Sequence, residues 1–328
     1  VAPPPSAVLS QDTISAIHHT TILQLVTNSR ELITVSAYVD LHLHTSHSDG
    51  LDAPGTVVAQ AAGLGFAAVA ITDHDTVSGL AEAETAARKH GLKFLHGTEI
   101  SSTFDGREVH VVGLGVRPDD PALLDVLKKL QEDRSVRADE IIRRLNKLGV
   151  PIRRSEVQAR AGHAAIGRLH IARELRALGI TNTVQKAFEK YVGRGRSAFV
   201  AKTSLPCGET IGLIHASGGL AFLAHPGIGA TTRNRLLRLL ELPFDGIEAY
   251  HSKHTAGQVA AFAQVAQERG LLISGGSDYH GHAGTSQTEL GEITHAAELG
   301  KVHVPYAHFE RIVEALGKPA SGGQAAIE

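Results

Sequence analysis

The stretch "YVDLHLHTSHSDG", residues 38–50, sets His42, His44, His47 and Asp49 at the end of an apolar, strand-like run. Alternate residues of a strand share a face, so His42 and His44 can hold one ion between them. The same spacing returns at Asp278 and His280 in "GSDYHG". Between these ends, Asp73, His74 and Asp75 close "AITDHD", Glu99 sits in "GTEI", His110 in "EVHVVG" and His225 in "AHPG". Glu248, His251 and His254 follow in "IEAYHSKH". One histidine at a strand end is usually a hydrogen-bonded loop residue. Imidazoles and acids after one strand after another are not explained that way. Mixed imidazole and carboxylate donors suit Mn²⁺, Fe²⁺ or Zn²⁺. A single cysteine, Cys207, excludes a thiolate-rich structural zinc site. A carboxylate such as Glu99 can bridge two ions, and ions roughly 3.5–4 Å apart clamp the in-line displacement of a phosphoryl group. The chemistry indicated is metal-assisted hydrolysis of a phosphate ester by activated water.

The elements that would position these residues follow a βα rhythm. Strand-like "YVDLHLH", "FAAVAITDHD", "LKFLHGTEI" and "REVHVVGLGV" are interleaved at first with helical "APGTVVAQAAGLG" and "SGLAEAETAARKHG", the second closed by Gly91. Such alternation predicts parallel βαβ units. From 117 to 193 the pattern is helical, beginning with one or two helices over "PALLDVLKKLQEDRSVRADEIIRRLNK". The rhythm then resumes to a last helix near 306–317. We therefore expect an α/β barrel in two parts, 38–116 and 194–318, around a helical insertion at 117–193, with the chemistry on loops at one end of the sheet. Residues 1–37, opening "VAPPPS", read as an extension of tag or linker type, and 319–328 as a polar tail.

The totals narrow the class. Hydrophobic residues make up 42% and charged residues 20%, with a formal net charge of −2. That describes a globular protein with a sizeable core and no global basic field for nucleic acid. An anionic ligand must be caught locally. No apolar run approaches the ~20 residues that span a bilayer. No Lys or Arg precedes Arg30, as the charged start of a signal peptide would require. A lone cysteine fits a reducing compartment. We expect a cytoplasmic enzyme with no membrane association and no stable protein partner.

In order along the chain, "DLHLHTSHSDG", "AITDHDT", "GTEIS", "VHVVGLG", "AHPG" and "GSDYHG" resemble the polymerase and histidinol phosphatase (PHP) superfamily, over nearly all of residues 38–285. The resemblance implies a distorted (β/α)7 barrel with two or three divalent ions, Mn²⁺ first and Fe²⁺ or Zn²⁺ next. It implies that His42, His44, Glu99 and Asp278 hold one ion. Glu99 would bridge to a second, held also by His110 and His225, and Asp49, His74 and His280 would hold a third. It leaves His47 and His96 as non-ligands. Within the superfamily, "EDRSVRADEIIRRLNKLGVPI", "GRLHIARELRALG" and "AFEKYVGRGRSAFV" resemble the branch that removes the 3′-phosphate of 3′,5′-nucleoside bisphosphates, some of whose members trim short RNA from the 5′ end.

A bisphosphate needs a second anion pocket. Arginine binds phosphate through two parallel bonds, and the insertion offers Arg134, Arg137 and Arg168, with His170. His251 and His254 are candidates to bind substrate and to protonate the leaving oxygen. The catalytic parts outside the metal set fall to His254, Arg168 and His170. Asp73 and Asp75 read as supports of His74. Arg143, Arg144 and Lys147 read as solvated helix charges. The competing readings are another phosphatase or nuclease activity of the superfamily, histidinol phosphate included, and a metal-binding scaffold module without catalysis.

Overall fold

The structure, a computed structural model, describes residues 37–202, 204–228, 232–281 and 298–318, all within the unit Ala37–Glu328. The expectations for 1–36 and 319–328 lie outside these residues. Among the described residues, nine strands form one sheet: β1 (Tyr38–Leu43), β2 (Ala68–Ile71), β3 (Lys93–Phe104), β4 (Arg107–Leu114), β5 (Leu205–Pro206), β6 (Leu220–Leu223), β7 (Gly246–His251), β8 (Leu272–Gly276) and β9 (Val304–Pro305). The order is β8-β7-β6-β4-β3-β2-β1-β9, with β5 on β3. The two ends meet past β8, where Asp278 N–H donates to His42 O and His44 N–H donates to Tyr279 O. Gly276 permits that approach, since a Cβ there would lie 2.4 Å from His42 N. The result is a nearly closed α/β barrel, the fold class expected.

The pairing is not uniformly parallel. β1–β2, β2–β3, β6–β7 and β7–β8 are parallel, but β3–β4 and β4–β6 are antiparallel. The cause is local. Only Asp105 and Gly106 join β3 to β4, and both have positive φ, 51° and 66°. Asp-Gly in that conformation makes a two-residue hairpin turn, which reverses the chain.

A bulge aims the first histidines. Val39 and Leu41 lie in the same core as Ala68, Ala70, Val112 and Leu114, whereas Leu43 lies in the core shared with the helices. The register of β1 shifts between Asp40 and Leu43. The extra residue exchanges the faces of the strand, so His42 and His44 take over the side that Val39 and Leu41 fill below them.

The helices are α1 (Pro54–Gly63), α2 (Leu80–His90), α3 (Pro121–Lys147), α4 (Arg154–Ala161), α5 (Arg168–Ala177), α6 (Val184–Ala187), α7 (Cys207–Ala216), α8 (Arg233–Leu239), α9 (Ala256–Arg269) and α10 (Tyr306–Leu316). A π-helical turn, Phe188–Val192, continues α6. Among the described residues no helix is long and apolar enough to cross a membrane. The block read as one or two helices is a single helix, α3. Asp120 caps it by accepting from Leu123 N–H at 3.0 Å, with Pro121 in the first turn. Its buried stripe runs Leu123, Leu127 and Leu130 into the barrel core, then Ala138, Ile141 and Leu145 into a separate core with α4, α5 and α6. Between these halves the helical spacing puts Arg134 where an apolar residue would continue the stripe.

Candidate metal centre

Glu99, fully buried on β3, is the middle of the site. Its Oε2 lies 3.2 Å from His42 Nε2, 3.2 Å from His44 Nε2 and 3.1 Å from His74 Nδ1. Its Oε1 lies 2.7 Å from His110 Nδ1 and 2.9 Å from His225 Nε2. Asp278 Oδ1 is 3.2 Å from His44 Nε2, and Asp49 Oδ1 is 3.2 Å from His280 Nε2. Donor atoms gather in four groups: His44, Asp49, His74 and His280; His42, His44 and Asp278; His42, Glu99 and His225; His74, Glu99 and His110. The structure thus brings together the nine residues singled out as ligands. The grouping is finer than expected: His110 and His225 share one oxygen of Glu99 yet fall in different groups, and His44 and His74 each join two. His47 and His96 stand apart, His47 on Ser78 Oγ at 2.7 Å and His96 near Glu84 at 3.4 Å.

The donors suit a cation. His280 Nδ1–H donates to the carbonyl of Asp278 at 2.8 Å. That leaves Nε2, on the side of Asp49, for a cation. His42 Nδ1 is held by Glu248 Oε1 at 2.9 Å, which leaves Nε2, 3.1 Å from His44 Nε2, for a cation; without one, burial is outweighed by Glu248 and Glu99, which raise His42 well above the ordinary histidine range. A carboxylate behind a histidine is the usual support for a metal-ligating ring. In the group His44, Asp49, His74 and His280, His44 Nδ1, Asp49 Oδ1 and His74 Nδ1 are buried with no hydrogen-bond partner. Each such atom costs about 1–3 kcal/mol if left so. Without a cation, protons must do the work. Burial opposes charge on His44, but Asp278 and Glu99 outweigh it and lift its pKa to about 10. For His74, burial prevails and lowers it to about 3. Burial would raise Glu99, but His74, His110 and His42 hold it well below the usual carboxylate range.

Backbone strain collects here. Asp75, His225 and Asp278 have φ of 53°, 27° and 58°, conformations that cost of order 1–3 kcal/mol each. Asp73 lies outside the four groups and clasps the turn before Asp49, accepting from Thr45 N–H at 2.7 Å and Thr45 Oγ1 at 2.6 Å. Asp75 joins the site to the insertion. Its carboxylate takes Arg134 Nε at 2.6 Å and Lys202 Nζ at 3.1 Å, and its carbonyl takes Gln131 Nε2 at 3.0 Å.

The other expected site residues are placed as follows. Arg168 Nη2 is 3.3 Å from Glu108 Oε2, with its guanidinium over Phe188 and Phe199. Arg137 Nε donates to Val200 O at 2.9 Å, and burial together with Arg168 lowers its pKa to about 10. His170, buried at the start of α5, accepts from Gly167 N–H through Nδ1 at 3.0 Å, and burial lowers it to about 4. His251 Nδ1 accepts from Lys253 N–H at 3.1 Å, which leaves the proton on Nε2, 3.4 Å from Asp278 Oδ2. His254 is engaged at both ring nitrogens, Nδ1 by Ala249 O at 2.8 Å and Nε2 by Gly227 N–H at 3.1 Å. In this arrangement it has no proton to pass to a leaving oxygen. Arg143 and Arg144 pair with Glu140 on the exposed side of α3.

Two residues escape sequence reasoning, and Glu248, noted there as a strand-end acid, gains its part as the support behind His42 only in the structure. Arg173 donates to Asp49 O at 2.7 Å, and buried Lys202 sits at Asp75. Nothing local marks either of these.

Comparison with known proteins agrees with this geometry. The model of the PHP domain matches residues 40–274. A 3′,5′-nucleoside bisphosphate phosphatase from Chromobacterium violaceum is 36% identical over 74% of this chain and 87% of its own. A 5′-3′ exoribonuclease from Haemophilus influenzae is 36% identical over 74% and 89%. A structure from Bifidobacterium adolescentis, assigned as a metal-dependent phosphoesterase, superimposes with a TM-score of 0.76 at 28% identity, covering 87% of this chain and 98% of that one. The chain belongs to the PHP family of metal-dependent phosphoesterases, and it is a hydrolase.

Proposed function

We propose that the enzyme removes the 3′-phosphate of 3′,5′-nucleoside bisphosphates, with the nine clustered residues as metal ligands and the helices of 117–193 as a cap that reads the second phosphate. The observation that carries this reading is a local surplus of charge. Arg134, Arg137, Arg168 and Lys202 act on one another electrostatically, with Asp75, Glu108 and, on Arg134, Asp49 opposing them. With Asp49 given to the metal set, four cations stand against Asp75 and Glu108, a surplus that suits a phosphate dianion.

Divalent ions, Mn²⁺ foremost, would supply an activated water and neutralise charge on the phosphoryl oxygens. The chain does the rest. Glu248 and the carbonyl of Asp278 fix the tautomers of His42 and His280. Asp73 and Arg173 hold the turn that presents Asp49. Arg168, stacked on Phe188 and Phe199, offers a planar fork to phosphate at little further cost in order. Arg134, tied to Asp75, keeps the cap registered on His74. Binding a remote phosphate to orient a reacting one lowers the barrier through positioning.

The relative named an exoribonuclease favours a second reading, in which the same cations hold the 5′-phosphate of a short RNA. Phosphate release should be measured with Mn²⁺ on a nucleoside 3′,5′-bisphosphate, a short 5′-phosphorylated RNA, histidinol phosphate and p-nitrophenyl phosphate. The reading expects the first to be best. Equal turnover of histidinol phosphate or of the simple monoester would overturn it.

A further inference from the structure

Beside the metal centre lies a cavity that neither the ions nor the second phosphate uses. We propose that it seats the nucleobase of the substrate; the inference rests on the nucleotide reading above. The cavity opens between the ends of β4 and β6 and α8 and measures about 190 Å³. His110 and His225 form part of its wall. A group seated there therefore touches the two histidines that face Oε1 of Glu99.

The lining selects the occupant. Val109, Leu223, Pro226, Ile228 and Leu239 bring apolar side chains to a lining that is otherwise polar, where Glu108 and Arg235 add an acceptor and a donor. Arg235 donates through Nη2 to Phe104 O at 3.2 Å, while its Nε is buried without a hydrogen-bond partner. Flat apolar faces with donors and acceptors confined to the edge describe a nucleobase. A phosphate matches poorly, because one arginine lines this cavity and the cation surplus lies with Arg134, Arg137, Arg168 and Lys202. An alkyl group would leave Arg235 Nε without a match. Pockets for whole small ligands run from about 300 to 1,000 Å³. This one takes a ring system and leaves the ribose outside, between the two phosphate positions. With few side chains reading the edge, the seat tolerates different bases and rejects the lack of one.

The test compares adenosine 3′,5′-bisphosphate with 1-deoxyribose 3,5-bisphosphate, which keeps both phosphates and lacks the base. A single methylene in a hydrophobic pocket can change kcat/KM about 10–200-fold, so loss of a whole base should cost at least roughly tenfold. In Ile228→Trp, which fills the cavity from its half-exposed rim, that ratio should fall toward one. Equal kcat/KM on the unmodified protein would overturn the inference, and so would an unchanged ratio in the variant. Hydrolysis of neither bisphosphate, with p-nitrophenyl phosphate still turned over, would instead overturn the bisphosphate reading itself.

Discussion

The metal centre and the cation cluster of the cap lie side by side and are built in opposite ways. In the centre, Glu99 and His110 stand within β3 and β4 and the other donors at or past strand ends, and the barrel alone brings them together. Rings are held by Glu248 and by backbone carbonyls, and Glu99 joins five of them. In the cap, Arg134, Arg137 and Arg168 come from helices, and Lys202 from a segment with no regular structure. Their placement depends on docking: Arg134 on Asp75, Arg168 on Glu108 and two aromatic rings. The centre supplies chemistry that any phosphate ester can use. On the proposed reading, the cap supplies selectivity. Damage to one should lower every activity, and damage to the other should lower only that toward substrates with a second phosphate.

Mutations can break this contrast. Glu99→Ala should have the largest effect, at least ~10³-fold in kcat on bisphosphate and simple monoester alike, because ion-activated water supplies most of the rate. Metal analysis should show the protein losing bound ions. Retained activity on either substrate would remove Glu99 from the centre. Arg168→Ala should come next, with kcat/KM on bisphosphates falling by roughly 10²-fold, the scale of a lost charge-assisted pair. Turnover of p-nitrophenyl phosphate should change little, and an equal loss on both substrates would erase the distinction between the regions. Glu248→Gln should weaken metal affinity or activity by ~10-fold, at the low end for a lost support of a ligating ring. An apparent metal constant equal to that of the parent would leave Glu248 without that part.

The smallest effect concerns pH. Burial and Arg134 lower the pKa of Lys202 to about 8, despite Asp75. A lysine is charged below its pKa, so the cluster keeps this charge at neutral pH and loses it as pH rises through about 8. KM for a bisphosphate should then rise a few-fold toward pH 9, while KM for the simple monoester stays level. Lys202→Arg should flatten the rise, and a flat profile in the parent would take Lys202 out of the second-phosphate site.

The same contrast decides what could be read in the sequence. His42, His44, Glu99, Asp278 and their partners were legible because strand periodicity and strand ends map position to place. The hairpin at Asp105-Gly106 was legible too, since that dipeptide has a preferred turn; it was passed over for the stronger βα rhythm. Arg134 betrays itself as a cation in the buried stripe of α3. His254 was misleading: a histidine after a strand end invited a catalytic part, and its two backbone bonds appear only when Gly227 and Ala249 come together in space. Lys202 and Arg173 were illegible, because what matters in each is a neighbour more than a hundred residues away, Asp75 or Asp49.

The central claim is that the clustered donors act by holding divalent ions. The most direct measurement follows phosphate release from adenosine 3′,5′-bisphosphate by chelator-treated, desalted protein, before and after Mn²⁺ is returned, with bound metal measured in the same samples. The account predicts no release from the stripped protein and recovery as at least two ions per chain rebind. Full activity in a sample shown to be free of metal would contradict it.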